Sequence, residues 1–124
     1  MYKILIVDDD RDMLIITKAI LEINNILVST ISTFEQIDSS IAAFNPDLIL
    51  LDTYFGTADG RDICRKLKKE IKTKDISILL YSAASVNELS LDACADGFIQ
   101  KPFTIKNLVS KINSILSVNT ISSY

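Results

Sequence analysis

The chain has 124 residues, 48% of them hydrophobic and 23% charged, with three glycines and two prolines, a balance that fits one folded domain and excludes a largely disordered chain. Thirteen Lys and Arg against sixteen Asp and Glu leave a net charge of −3, which weighs against nucleic acid as a partner. The absence of histidine removes imidazole acid–base chemistry and histidine metal ligands.

Taken in chain order, short β-branched or leucine-rich runs alternate with segments of helical period, about five times over, which is the pattern of a parallel sheet with crossover helices. Tyr2 to Val7 reads as a first strand covered on both faces. Met13, Ile16, Ile20 and Ile23, at steps of three and four, predict the buried stripe of a first helix, closed by Asn24-Asn25. A second strand is expected near Ile26 to Thr30, and a second helix on Phe34, Ile37, Ile41 and Phe44, ended by Asn45-Pro46 because a residue before proline disfavours the α region. Leu48 to Leu51 is the most apolar run and predicts the central strand, with Asp52 at its carboxyl end. A loop with Gly56 and Gly60 leads to a third helix on Ile63, Leu67 and Ile71, whose far end carries Lys68, Lys69, Lys72 and Lys74 at the negative pole of the helix dipole. Ile76 to Tyr81 predicts a fourth strand ending at Ser82, residues 86–94 a fourth helix, and Gly97 to Gln100 a fifth strand. Ile105, Leu108, Val109, Ile112, Ile115 and Leu116 form the cleanest helical stripe, with Thr104 as N-cap. One domain over residues 1–117 with a polar tail over 118–124 follows. Cys64 and Cys94 form neither a CxxC pair nor a zinc knuckle and are expected to be buried free thiols in a reducing compartment. The opening apolar run, Ile4 to Val7, is too short for a signal segment or a membrane span, so the expectation is a cytoplasmic protein with no membrane partner.

The fold so predicted is a single doubly wound α/β domain with a five-stranded parallel sheet and five helices. Ligands of such sheets sit beyond the carboxyl ends of the strands. Asp8 and Asp9 follow the first strand, Asp52 the third, Ser82 the fourth and Lys101 the fifth, so all five meet at one edge. Each has an ordinary reading alone: Asp8-Asp9-Asp10 a helix-capping turn, with Asp10 the cap itself, Asp52 and Ser82 turn residues, Lys101 a surface lysine. Their convergence at four strand ends is what independent readings do not predict. Two carboxylates about 5 Å apart repel by roughly 3 kcal/mol at an effective dielectric near 20, and a hard divalent cation, Mg²⁺ or Mn²⁺, relieves that repulsion. The set suits phosphoryl transfer to a carboxylate. Asp52 is the nucleophile, Asp8, Asp9, Asp52 and the backbone carbonyl of Tyr54 hold the metal, and Lys101 and Ser82 bind further phosphoryl oxygens. No general base is needed, because a carboxylate is ordinarily ionised at neutral pH.

Val7-Asp8-Asp9, Leu51-Asp52 with Asp59-Gly60 downstream, Ser82-Ala83 and Lys101-Pro102-Phe103, in that order and context, resemble the response-regulator receiver domain of two-component signalling, a flavodoxin-like fold, from Ile4 to about Leu116. The resemblance implies the strand order 2-1-3-4-5 and a phosphorylation-activated switch rather than a turnover enzyme, one that catalyses only its own aspartyl phosphorylation and dephosphorylation. A histidine kinase or phosphotransfer protein would supply the phosphoryl group to Asp52. The partner downstream would be an effector protein, a phosphorelay component or, on phosphorylation, a second copy of the chain, with no direct contact to nucleic acid. It further implies that Ser82 and Phe98 are the switch pair acting on the face of the fourth helix, fifth strand and fifth helix, and that the Lys101-Pro102 peptide is cis. Two departures stand out: Phe55-Gly56 replaces the family's usual Met-Pro, loosening the loop, and Phe98 has no hydroxyl where tyrosine is frequent.

Rival readings fit less well. A haloacid-dehalogenase-type phosphatase needs a second aspartate where Tyr54 stands, and a flavodoxin needs a phosphate-cradling loop where Asp8-Asp9-Asp10 would repel phosphate. A basic stretch from Arg65 to Lys74 reads as a solvated helix end rather than a nucleic-acid patch. The alternative from a different class is a phosphorylation-independent docking module on the same fold.

Overall fold

The computed structural model describes residues 1–55, 58–82 and 94–122, and side chains for these apart from 55 and 118–122. In chain order the elements are β1 (Lys3–Val7), α1 (Arg11–Ile23), β2 (Leu27–Ile31), a 3₁₀ turn (Phe34–Gln36), α2 (Ile37–Phe44), β3 (Leu48–Asp52), β4 (Tyr54–Phe55), β5 (Ala58–Asp59), α3 (Gly60–Lys69), β6 (Ser77–Ser82), β7 (Gly97–Gln100) and α4 (Ile105–Ser122). Five strands pair in parallel in the order β2-β1-β3-β6-β7, which is the order 2-1-3-4-5 expected of the main sheet. β4 and β5 form a separate antiparallel ribbon, Tyr54 opposite Asp59, within what the sequence suggested was a plain loop.

Strand period explains the two apolar layers. Alternate residues of β1, β3 and β6 point to opposite faces. Ile4, Ile6, Leu48, Leu50, Leu79 and Tyr81 pack on one side against Leu14 and Leu21 of α1 and Leu108, Ile112 and Leu116 of α4. Leu5, Val7, Ile49, Leu51, Ile78 and Leu80 pack on the other against Ile37 and Ile41 of α2 and Cys64 and Leu67 of α3. With helices on both faces, β3 and β6 are buried throughout, which is why they read as unbroken apolar runs.

Helix ends follow local chemistry. Asp10 caps α1, its Oδ1 accepting from the Met13 N–H at 3.2 Å, and the Thr104 hydroxyl caps α4 by accepting from the Asn107 N–H at 3.1 Å. Asn45 closes α2 in the left-handed region at φ 52°, ahead of Pro46. The buried face of α1 differs from the expected stripe: Leu14, Thr17 and Leu21 face the sheet, while Ile16 and Ile23 are 57% and 80% exposed. The run Met13 to Ile16 is apolar at four consecutive positions, so spacing alone admits either stripe, and the face is chosen by packing against β1 and β2. α3 stops at Lys69, leaving Ile71 86% exposed, because the chain turns there to reach β6. Lys72 and Lys74 therefore lie in that turn and not on the helix. β2 begins and ends one residue later than expected. α4 runs on to Ser122, past residue 117. The helix expected over 86–94 falls on residues outside those described, except Cys94, which sits in the turn before β7. Among the described residues no helix is long and apolar enough to cross a membrane.

One close approach fixes the start of α3 beneath the sheet edge. The Gly60 N–H donates to the Thr53 carbonyl at 2.6 Å, and a Cβ at Gly60 would lie 2.2 Å from the Asp52 carbonyl oxygen and 3.1 Å from Thr53 Cα. Backbone atoms cannot yield as a flexible side chain can, so the position demands glycine. Gly60→Ala is expected to cost at least the roughly 1–3 kcal/mol typical of overpacking, read as a lower urea midpoint with unchanged slope; an unchanged midpoint would contradict this contact.

Candidate functional site

The carboxyl ends of β1, β3, β6 and β7 bring together Asp8, Asp9, Asp52, Ser82 and Lys101, the residues singled out in the sequence. Asp8 is fully buried just past β1, and Asp52 is 6% exposed as the last residue of β3. Carboxylate oxygens of Asp8, Asp9 and Asp52 all lie within 4.8 Å of one another, with Asp9 at the exposed side of the cluster. Such a set of hard oxygen donors fits a divalent cation. Asp8 Oδ1 accepts from the Asp10 N–H at 3.0 Å, and Asp52 Oδ1 accepts from the Tyr54 N–H at 3.3 Å. The Tyr54 peptide therefore lies against Asp52, while its side chain is largely exposed.

Lys101 Nζ stands between the two buried acids, 3.7 Å from Asp8 Oδ2 and 3.8 Å from Asp52 Oδ1. Its backbone N–H donates to the Ser82 carbonyl at 2.7 Å, tying the ends of β6 and β7 together. The Lys101-Pro102 peptide is cis. Ser82 is 1% exposed at the end of β6. Phe98 is half-buried on β7, where it packs at the margin of the α2–α3 layer and borders a groove with Pro102 and Phe103. Of the Phe55-Gly56 departure, the structure gives the Phe55 backbone, paired with Ala58, and Gly56 lies outside the described residues.

Burial changes the electrostatics expected from sequence. Desolvation pushes the Asp52 carboxyl up to about 7, with Lys101 opposing and the charge of Asp8 reinforcing the rise. Burial therefore works against the full ionisation that is the ordinary expectation for a carboxylate at neutral pH. One ammonium cannot offset two buried acids.

Sequence reading passed over Tyr81, which the structure places at the heart of the site. Its hydroxyl donates a short hydrogen bond to Asp8 Oδ2, its ring lies 4.5 Å below Lys101 Nζ, and Phe103 meets that ring edge-on at 6.1 Å. Burial and the neighbouring Asp8 carboxylate raise the phenol above its usual range, so it remains a donor. A hint existed: a tyrosine closing an otherwise aliphatic strand needs a polar partner for its hydroxyl.

Comparison with known proteins shows the family. The family model for the response regulator receiver domain matches residues 4–113. The chain belongs to that family. This receiver domain is 37% identical over 117 residues to the nisin biosynthesis regulatory protein NisR of Lactococcus lactis subsp. lactis, covering 91% of the chain and 49% of NisR. It is 32% identical over 121 residues to the response regulator MprA of Mycolicibacterium vanbaalenii, covering 95% and 52%. The chain thus spans about half the length of the curated relatives it matches. Among solved structures, a CheY-like receiver domain protein from Methanospirillum hungatei JF-1 superposes with a TM-score of 0.87 at 29% identity, covering 98% of each chain. The N-terminal domain of the nisin resistance regulator NsrR superposes at 0.80 with 32% identity, covering 94% and 98%. Receiver domains of two-component response regulators are phosphorylation-activated signalling switches, not substrate-turnover enzymes.

The Asp52 environment makes stability pH-dependent. Its folded value, about 7, lies above the ordinary 3.8, so the folded state holds a proton that the unfolded chain releases, and stability falls as pH rises through that window. In chelator, the urea midpoint of the native sequence should drop from about pH 5 to about pH 8, whereas Asp52→Asn, which keeps the shape without the charge, should be flatter and the more stable by a few kcal/mol at the upper end. Parallel profiles would show that Asp52 is not desolvated in this way.

Proposed function

We propose that Asp52 is the phosphoryl acceptor of this receiver domain, taking the group from a phosphohistidine on a histidine kinase or a phosphotransfer protein in the cytoplasm. The observation that carries this reading is the buried Asp52 carboxylate within 4.8 Å of Asp8 and Asp9 oxygens and 3.8 Å from Lys101 Nζ. In the transfer an Asp52 oxygen attacks phosphorus, the phosphorus–nitrogen bond breaks, and the imidazole leaves with its electron pair. The domain catalyses this step, and the later hydrolysis, on itself.

Asp8, Asp9, Asp52 and the Tyr54 backbone carbonyl would hold Mg²⁺ or Mn²⁺, which supplies positive charge at the phosphoryl oxygens. Tyr81 holds Asp8 from the layer below, and Asp10 fixes the turn by capping α1. Lys101, already beside Asp52, is placed to pair with a second phosphoryl oxygen, and the Ser82 hydroxyl with a third.

The switch follows from those donors. When Ser82 turns toward the phosphoryl group, the space it leaves admits Phe98, and the face carrying β7 and α4 changes shape for an effector protein, a relay partner or a second copy of the chain. Swinging a two-state equilibrium from 1:99 to 99:1 takes about 5.5 kcal/mol, while one charge-assisted hydrogen bond contributes about 1.5–3 kcal/mol. Lys101, the metal and burial of Phe98 must supply the remainder.

Intact mass after incubation with Mg²⁺ and a small phosphoryl donor tests the assignment. One added phosphoryl group is expected, absent with chelator and absent in Asp52→Asn, whereas Ser82→Ala should still be phosphorylated but bind its effector more weakly. Equal incorporation in Asp52→Asn would overturn the acceptor assignment. No incorporation into a folded, metal-binding native domain would overturn acceptance from a small donor and favour either strict dependence on a cognate kinase or the docking module, since Phe55-Gly56 departs from the family pattern three and four residues after Asp52.

A further inference from the structure

Cys64 and Cys94 are 30 residues apart in sequence, yet their sulfurs lie 2.9 Å from one another in the structure. Both thiols are free, as expected, but Cys94 is partly exposed rather than buried. Cys64 belongs to the buried stripe of α3 with Gly60 and Leu67, while Cys94 occupies the turn that enters β7 and is partly exposed. A second set of contacts keeps the two elements in register. Lys68, one helical turn after Cys64, pairs with Asp96 at 2.6 Å and donates to the Ile76 carbonyl at 2.9 Å. Asp96, two residues after Cys94, accepts from the Ile78 N–H at 2.8 Å through its carboxylate and donates its own N–H to the Ile78 carbonyl at 2.9 Å. The turn carrying Cys94 is thus pinned to α3 and β6 on the side away from the acidic cluster.

We propose that Cys64 and Cys94 form an oxidation site that closes to an intramolecular disulfide when the domain meets a hydroperoxide. The two thiols have different parts because their surroundings differ. Cys94, the accessible one, meets the oxidant first and gives up its proton as it reacts. Its sulfur attacks a peroxide oxygen, the sulfur–oxygen bond forms, the oxygen–oxygen bond breaks, and the departing alkoxide or hydroxide takes up a proton. Cys64 is the resolving thiol. Burial and the hydrogen bond from Cys94 raise its own pKa, so it is poor at attacking oxidant from solvent but adjoins the sulfenic acid. It gives up its proton, its sulfur bonds to that of Cys94, and the sulfenic hydroxyl leaves as water. Two thiols and one hydroperoxide give one disulfide, one water and one alcohol, or a second water when the oxidant is hydrogen peroxide. In a reducing compartment such a bond forms only transiently. It ties the turn four residues before Phe98 covalently to α3. The site is independent of the phosphoryl-acceptor reading.

Reduced, desalted protein treated with hydrogen peroxide, then denatured and alkylated with N-ethylmaleimide, tests this directly. The expected native product is about 2 Da lighter, carries no maleimide, returns to two alkylatable thiols with dithiothreitol, and yields a Cys64–Cys94 cross-linked peptide. Its yield should not depend on protein concentration. Cys64→Ser should stop at a dimedone-reactive sulfenic acid on Cys94, Cys94→Ser should lose thiol at least about tenfold more slowly than the native chain, and Asp52→Asn should oxidise like the native chain. Two maleimides on the peroxide-treated native protein, a disulfide found only between chains, or Cys94→Ser reacting at the native rate would each overturn the proposal.

Discussion

Two carboxylates buried at neighbouring strand ends with one lysine between them set the terms for the rest of this domain. Asp8 and Asp52 are held there by backbone N–H groups, by Tyr81 and by Lys101, yet burial still works against the charge on Asp52. A folded protein keeps such a cluster only if the surrounding structure over-determines it. The sheet does so: β3 is buried along its whole length, and Gly60 lets α3 press against the Asp52 carbonyl. Stability lent by the apolar layers is thus partly offset at the sheet edge, where incoming positive charge finds its strongest reward.

Most of the fold was legible because strand and helix periods differ sharply in this chain. Leu48 to Leu51 and Ile78 to Leu80 announced fully covered strands, and Asn45-Pro46 and Thr104 announced helix ends that the structure shows. The sheet order came from the resemblance and from the rule for doubly wound sheets, and pairing bears it out. Where the local signal was degenerate, it misled. α1 carries apolar residues on nearly every face, so spacing chose the wrong stripe, and tertiary contacts with Leu14 and Leu21 decided otherwise.

The site was legible as a set of strand-end residues, since an aspartate or lysine that closes a buried strand must emerge at the same rim as its neighbours. Two of its properties were not. The raised Asp52 value depends on how completely the rim is closed, a three-dimensional quantity with no sequence signature. The Cys64–Cys94 contact joins a helix face to a turn 30 residues later, and nothing local marks it. Tyr81 fell between the two cases, visible as an oddity in an aliphatic strand but without an evident partner until Asp8 was placed above it.

The alternation of β6 gives its last two residues separate audiences. Tyr81 faces the layer of α1 and α4, where it meets Phe103, while Ser82 follows on the side of Leu80, the layer of α2 and α3, at whose margin Phe98 packs. This one strand end therefore touches both halves of the core, through an aromatic ring on one side and a hydroxyl on the other. A substitution at either residue thus perturbs a different layer of packing, although the two are neighbours in sequence.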